Sequence, residues 1–494
     1  MFKLLAALKQ IIKMSVLTVV MLNFPIVQAM RFESNIPDVG QEGQFVITNE
    51  TERLIGKMMM HKINETGLIT EDLVVQEYVE QLGQKLVDAG PTPDFKLHYF
   101  SLNSSVLNAF AFFGGNIAVH SGLILMVENE NELAGVMAHE TAHVTQRHLA
   151  RMLTNQKKMT PLMVLQLIGA IAVGALGAPD AGMGLATAAM GGQAQQIINF
   201  TRDHEYEADR LGIQTLSKAG FDPMALPGVF KKLSTATRYN ERPPEYLLTH
   251  PVFESRIADA YNRAEKLPYR QSPDSLYFHL VRARIEAASQ NKTQSYLDKC
   301  KERLHTGRVS NNLIARYAYA LALTKARKYD EARIEFNSVL KEIALEPEAW
   351  IIELSLAEME QVANNLEEAI SQFDVMYYHY PSHPAIVYQF AKALQDAKQY
   401  EKSKQLLLQL KSKQPENLQL YLDLAKVNSK LKKNADVHRA QAEWHFLRGE
   451  YPKAEQQLDL AMEKAGHDNR LKDEIRFRKN KLEDWKNKKK ELKL

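Results

Sequence analysis

The chain has 494 residues, 45% of them hydrophobic and 24% charged, with a formal net charge of +3. That length can bury more than one core, and the near balance of charge, without any recognised nucleic-acid motif, argues against a polynucleotide partner. A single cysteine, Cys300, excludes an intrachain disulfide, so packing alone must hold the fold.

Residues 1–13 carry Lys3, Lys9 and Lys13 without an acid, and an apolar run from Met14 to Leu22 leads to Val27-Gln28-Ala29. This is the layout of a secretory signal, so residues 1–29 are read as a signal peptide cleaved after Ala29. The uninterrupted apolar core is short for an uncleaved anchor.

From Asn108 to Leu123 the pair Gly114-Gly115 precedes Ile117-Ala118-Val119, a turn leading into a short strand. A strand of this kind beside a catalytic cleft can pair with an extended substrate backbone, which tolerates many side chains. The alternative is an internal hairpin without substrate contact.

Asn129 to Leu149 reads as a helix. Asn129 and Glu132 resemble a capping box, and Leu133, Val136, Met137, Val144 and Leu149 recur at helical spacing. Within it, His139-Glu140-Thr141-Ala142-His143 sets two imidazoles a turn apart on one face, able to chelate one Zn2+ per chain. Glu140 can reach the open fourth position and take a proton from water as that water attacks a carbonyl. This is peptidase chemistry.

Pro161 to Ala178 is aliphatic apart from Gln166, and glycine, alanine and methionine continue to Gly192. The run sits at the lower length limit for a membrane span, and its glycines weaken a straight helix. Residues 161–192 are therefore read as a hairpin or lid over the site that touches a membrane surface, with a true span as the alternative.

A catalytic zinc takes three protein ligands, so the third is sought on the helix containing Glu205 to Asp209. Glu205 fits, because Asp209 one turn on can accept the free ring N–H of a ligating histidine. His204 and Glu207 compete for the role. His250, held before Pro251 in a turn or loop, has two possible active-site uses: donating to the oxyanion, or binding the metal in place of water in a resting state. A structural loop histidine is the plain alternative.

Beyond residue 270 Pro347, Pro381 and Pro415 recur at the tetratricopeptide period. Tyr329, Leu366, Tyr400 and Tyr451 open matching helices, Leu276 to Leu304 looks like a divergent first repeat, and Arg470 to Leu494 reads as a basic capping helix. The expected architecture is mostly α: a helical zinc metallopeptidase with a small β-sheet over residues 30–270, then an all-α repeat solenoid over 271–494 suited to binding peptides or proteins.

Four segments, Asn108–Leu123, His139–His143, Glu205–Asp209 and Thr249–Arg256, resemble in order the gluzincin metallopeptidases of the HtpX and CAAX prenyl protease class. The resemblance implies His139, His143 and Glu205 as zinc ligands, Glu140 as the general base and Asp209 behind a ligand. A signal, this peptidase and repeats in this order further resemble the periplasmic β-barrel assembly-enhancing proteases. That likeness implies periplasmic quality control, with unfolded or stalled outer-membrane proteins as substrates and the barrel assembly machinery contacted through the repeats. Two other readings stand beside it: a membrane-anchored processing metallopeptidase, and a repeat-based adaptor with a silent zinc site.

Overall fold

Two capped helices open the described chain: α1 (Asn49–Thr66) and α2 (Leu73–Ala89). Thr48 accepts from the Thr51 amide at 3.2 Å and Asp72 from the Val74 amide at 2.9 Å, each satisfying a donor that the helix leaves free. The structure, a computed structural model, describes residues 48–154, 202–239, 244–268, 275–306 and 312–491. The expected signal peptide, the 161–192 stretch and the boundary at residue 270 lie outside them. Among the described residues no helix is long and apolar enough to cross a membrane.

Strands β1 (His98–Leu102), β2 (Ala109–Phe112) and β3 (Asn116–His120) form one sheet in the order β1-β3-β2. β3 runs parallel to β1 and antiparallel to β2. Gly115, at φ +81°, makes the β2–β3 turn, and a Cβ there would sit 2.7 Å from the Lys96 carbonyl oxygen. This order corrects one expectation. The Ile117–Val119 strand has a neighbour on each side, so its backbone cannot take a substrate; β1 and β2 are the two edges of the sheet, and the outer side of β1 is partly covered by the Ile69–Leu102 bridge. Every residue of β3 is buried, as a central strand covered on both faces should be.

The chain continues through α3 (Ser121–Met126), α4 (Glu130–Thr145), α5 (His148–Thr154), α6 (Arg202–Lys218), α7 (Ala225–Tyr239), α8 (Glu245–Thr249) and α9 (Glu254–Ala264). Asn129 caps α4 through the Glu132 amide at 3.1 Å, while the Glu132 carboxylate returns to the Glu128 amide at 2.9 Å, one residue earlier than in a reciprocal capping box. α4 is buried continuously from Glu132 to Val144, enclosed by α2, α6, α7 and the sheet.

Helical hairpins follow: α10 (Leu276–Ser289), α11 (Thr293–Thr306), α12 (Asn312–Lys325), α13 (Tyr329–Ile343), α14 (Ala349–Val362) and α15 (Leu366–His379). They continue with α16 (Pro384–Asp396), α17 (Tyr400–Lys413), α18 (Leu418–Lys430), α19 (Asn434–Leu447), α20 (Tyr451–Lys464) and α21 (Asn469–Glu491). Pro347, Pro381 and Pro415 fall in the links before α14, α16 and α18. The intervening turns share one device. Arg327, Asn364, Lys398, Lys432 and Gly449 all have positive φ, and each stands two residues before the next helix. One left-handed residue thus reverses the chain at each of these turns, whereas Gln290 after α10 is extended at φ -81°.

The helical hairpins contact the earlier elements at several points, among them Ser275 with Glu130 and His383 with Glu77. Arg284 on α10 reaches Asp72 at the start of α2 at 2.7 Å and Glu358 on α14 at 3.0 Å. At the other end α1 docks on the last repeats: His61 Nδ1 lies 3.0 Å from the Tyr451 hydroxyl, and Asn64 donates to the Leu447 carbonyl at 2.9 Å. Phe446, Tyr451 and Trp485 surround the His61 ring. Burial, aided by Lys57, Arg478 and Lys489, lowers the His61 pKa from 6.5 to about 4.

This shift gives a pH dependence of definite sign. The unfolded imidazole takes up a proton near 6.5 while the folded one refuses it until about 4, so stability is full above that window and falls as pH drops through it. The loss amounts to about 3 kcal/mol at most. Thermal unfolding of the parent and His61→Phe across this range should show the parent losing stability relative to the variant on acidification. A difference independent of pH would refute the assignment.

Candidate metal centre

α4 carries His139, Glu140 and His143, all buried. α6 passes so close that a Cβ on Gly212 would lie 3.1 Å from the His139 amide nitrogen, and this approach brings Glu205 and Asp209, a turn apart on α6, against the imidazoles. His250 enters from the C-terminal end of α8. Ligand atoms of His139, His143, Glu205 and His250 lie within 4.8 Å of one another.

The separations have a recognisable scale. His139 Nε2 and His143 Nε2 are 3.0 Å apart, and they lie 3.5 and 3.4 Å from the Glu205 oxygens. His250 Nδ1 is 3.0 Å from Glu205 Oε1 and 3.4 Å from His139 Nε2. A tetrahedron with metal–ligand bonds of about 2.1 Å has edges of about 3.4 Å, so this buried set of nitrogen and carboxylate donors fits a divalent first-row cation.

The surroundings fix these side chains. Asp209 Oδ1 sits 2.9 Å from His139 Nδ1. Arg256 on α9 reaches Asp209 through Nε at 2.6 Å and Glu205 through Nη1 at 2.7 Å, and donates to the Pro251 carbonyl at 3.0 Å. Burial opposes charge on Glu205, but His250 and Arg256 outweigh it and hold that carboxyl well below the usual range. Asp209 is lowered in the same way, Arg256 being the main counterweight to burial. Burial likewise disfavours a charged His139 ring, yet Asp209 and Glu205 bring its pKa to about 9.

Glu140 differs. Both its oxygens are buried without a hydrogen-bond partner, and His250 Nε2 stands 3.5 Å away. Burial raises its pKa, partly offset by His250 and His139, so its carboxylate is a stronger base than one in water. Tyr246 stacks on His250 at 4.9 Å, and its hydroxyl is also buried without a partner.

The competing ligands face elsewhere. Glu207 bonds to His148 at 3.1 Å and Arg151 at 3.0 Å, and His204 stacks on His148. Sequence reasoning gave no role to Arg256, His148 or Tyr246. The one available signal was for Arg256: two carboxylates a turn apart on a buried helix face require a cation, and Arg256 closes the Thr249–Arg256 segment.

Residues 74–264 match Peptidase family M48, a span that contains the whole cluster. The beta-barrel assembly-enhancing protease of Escherichia coli (strain K12) is 37% identical over 338 residues, 68% of each chain. The chain belongs to the beta-barrel assembly-enhancing protease family. Another protein of that name, from Yersinia pestis, is 38% identical over 324 residues, 65% of each chain. A mitochondrial metalloendopeptidase of Schizosaccharomyces pombe is 27% identical over 180 residues, 36% of this chain and 50% of that one. Like this family of M48 peptidases, the protein is a metal-dependent endopeptidase of the HExxH type.

Proposed function

We propose that the protein is a zinc endopeptidase whose ligands are His139, His143 and Glu205, with Glu140 as the general base. The observation that carries this is the four-residue buried cluster with the unpartnered Glu140 carboxylate beside it. Zinc held by these residues would supply Lewis acidity, polarising a scissile carbonyl and acidifying water. Glu140 takes the proton of that water during attack and returns it to the departing amine. Asp209 and Arg256 hold His139 and Glu205 in place, and the open edge of β2 binds the substrate as an added strand, giving weak side-chain selectivity.

His250 would hold the metal as a fourth ligand in the resting state and would keep water out until it swings away. Arg256, bonded to the Pro251 carbonyl, supports the closed position of that loop. His250→Ala should therefore raise basal proteolysis of a disordered substrate, self-cleavage included. A variant slower than the parent by about a hundredfold would assign His250 to the oxyanion instead.

The third ligand has its own test. Glu205→Gln should weaken zinc binding far more than Glu207→Gln, because only the first removes a ligating charge. Equal retention of zinc by the two variants would sink the assignment.

The relatives are named for β-barrel assembly, and the first residues of this chain have the layout of an export signal. On that basis we propose action in the periplasm on unfolded or stalled outer-membrane proteins, with the helical repeats contacting the barrel assembly machinery. Co-purification with that machinery, lost when the repeats are deleted, would support this; cleavage of stalled barrels at the parental rate without the repeats would count against it.

A further inference from the structure

The turn that ends α4 carries a chain of polar contacts with no part in the chemistry above. Arg147 adopts φ +52°, a left-handed conformation that folds the chain back after α4. Its guanidinium is anchored by Glu52 on α1, Nε donating at 2.8 Å. His148, the first residue of α5, is thereby placed against His143.

The contacts line up. His148 Nδ1 is 2.8 Å from His143 Nδ1, and His148 Nε2 is 3.1 Å from Glu207 Oε2 on α6. Arg151 donates to the same Glu207 oxygen at 3.0 Å, and the His204 ring stacks on His148 at 4.5 Å with 13° between planes. His148 is fully buried, while the Glu207 side chain is 25% exposed.

Proton positions follow from these distances. His143 turns Nε2 toward the other ligand atoms, so a metal there requires a lone pair on Nε2 and leaves the ring proton on Nδ1. Two N–H groups cannot face one another at 2.8 Å, so His148 accepts through Nδ1. Its own proton then sits on Nε2 and is donated to Glu207. The bonds run in one direction, from His143 through His148 to a carboxylate held by Arg151.

We infer that His148 and Glu207 are positioning residues, a two-step relay that sets the tautomer and ring plane of His143 and thereby tightens the metal site. Each imidazole of the HExxH pair then has a carboxylate behind it: Asp209 directly behind His139, and Glu207 behind His143 through an interposed ring. Glu207 is not a ligand but acts through His148. The inference rests on His143 being a ligand, and the experiment separates the two.

Zinc affinity of the full chain is measured by competition with a coloured chelator, alongside the visible spectrum of the cobalt-substituted protein. The parent should bind zinc, and His143→Ala should lose it. His148→Leu should bind about ten- to hundredfold more weakly. His148→Asn, whose amide oxygen can occupy the accepting position of Nδ1, should recover most of that loss and restore the cobalt spectrum. Glu207→Ala should weaken binding several-fold in the parent but hardly at all in the His148→Leu background, because its effect passes through the missing ring.

Parental affinity in His148→Leu overturns the proposal, and so does an equal effect of Glu207→Ala in both backgrounds. If His148→Leu fails to fold, Glu207→Ala decides, since its partly exposed site tolerates truncation; unchanged affinity there overturns the relay. A parent that binds no zinc, or a His143→Ala variant that binds it normally, strikes instead at the ligand assignment on which the relay depends.

Discussion

Glu140→Gln should retain the metal and lose almost all hydrolysis, by a factor of about 10²–10⁴. The amide is nearly isosteric with the carboxylate, and none of His139, His143, Glu205 or His250 is altered. What disappears is the base that burial strengthens. Because substrate contacts survive, the variant should hold a disordered protein without cutting it. Metal content and cleavage are to be measured on the same preparation. Parental cleavage would show that the base is another group, and loss of metal would show that Glu140 supports the ligands as well.

Arg256→Met should destabilise the protein by about 3–5 kcal/mol, the cost of removing one partner from a buried ion pair. Asp209 and Glu205 are almost fully buried and share this guanidinium, and methionine fills much of the volume while leaving both carboxylates without it. The loss should be greater in metal-free protein than in protein saturated with zinc, because a bound cation compensates part of the charge. Adding Asp209→Leu should recover part of the stability by removing one stranded carboxylate. Urea unfolding of the single and double variants, with and without metal, checks each step. An Arg256→Met protein as stable as the parent would refute the account of these contacts.

The most legible features were those encoded over short or regular distances. His139 and His143 announce themselves because helical spacing alone puts them on one face, and Glu205 was accessible through Asp209 one turn later. Tyr329, Leu366, Tyr400 and Tyr451 marked helix starts because each opens a helix after the same kind of turn, even though their spacing is not constant. The positive-φ residues that make those turns were not legible, since Arg327, Lys398 and Lys432 have no special preference for that conformation; the surrounding hairpin imposes it. His148 and Arg256 were missed for another reason. Their partners come from other helices, and no local pattern records that His148 will meet Glu207 or that Arg256 will meet Asp209. The misplaced substrate strand has the same origin, because Ile117–Val119 reveals a strand but not its place in the sheet order.

The seam between α1 and the last repeats makes the described chain a closed loop in which early and late residues hold hands without a covalent link. A nick between α9 and α10 would therefore part the backbone without parting the molecule. The Arg284 ion pairs and the His61–Tyr451 patch would keep both fragments in one particle, comigrating on a native gel and separating only in denaturant. Self-digestion at that joint would leave a clipped enzyme that is still assembled.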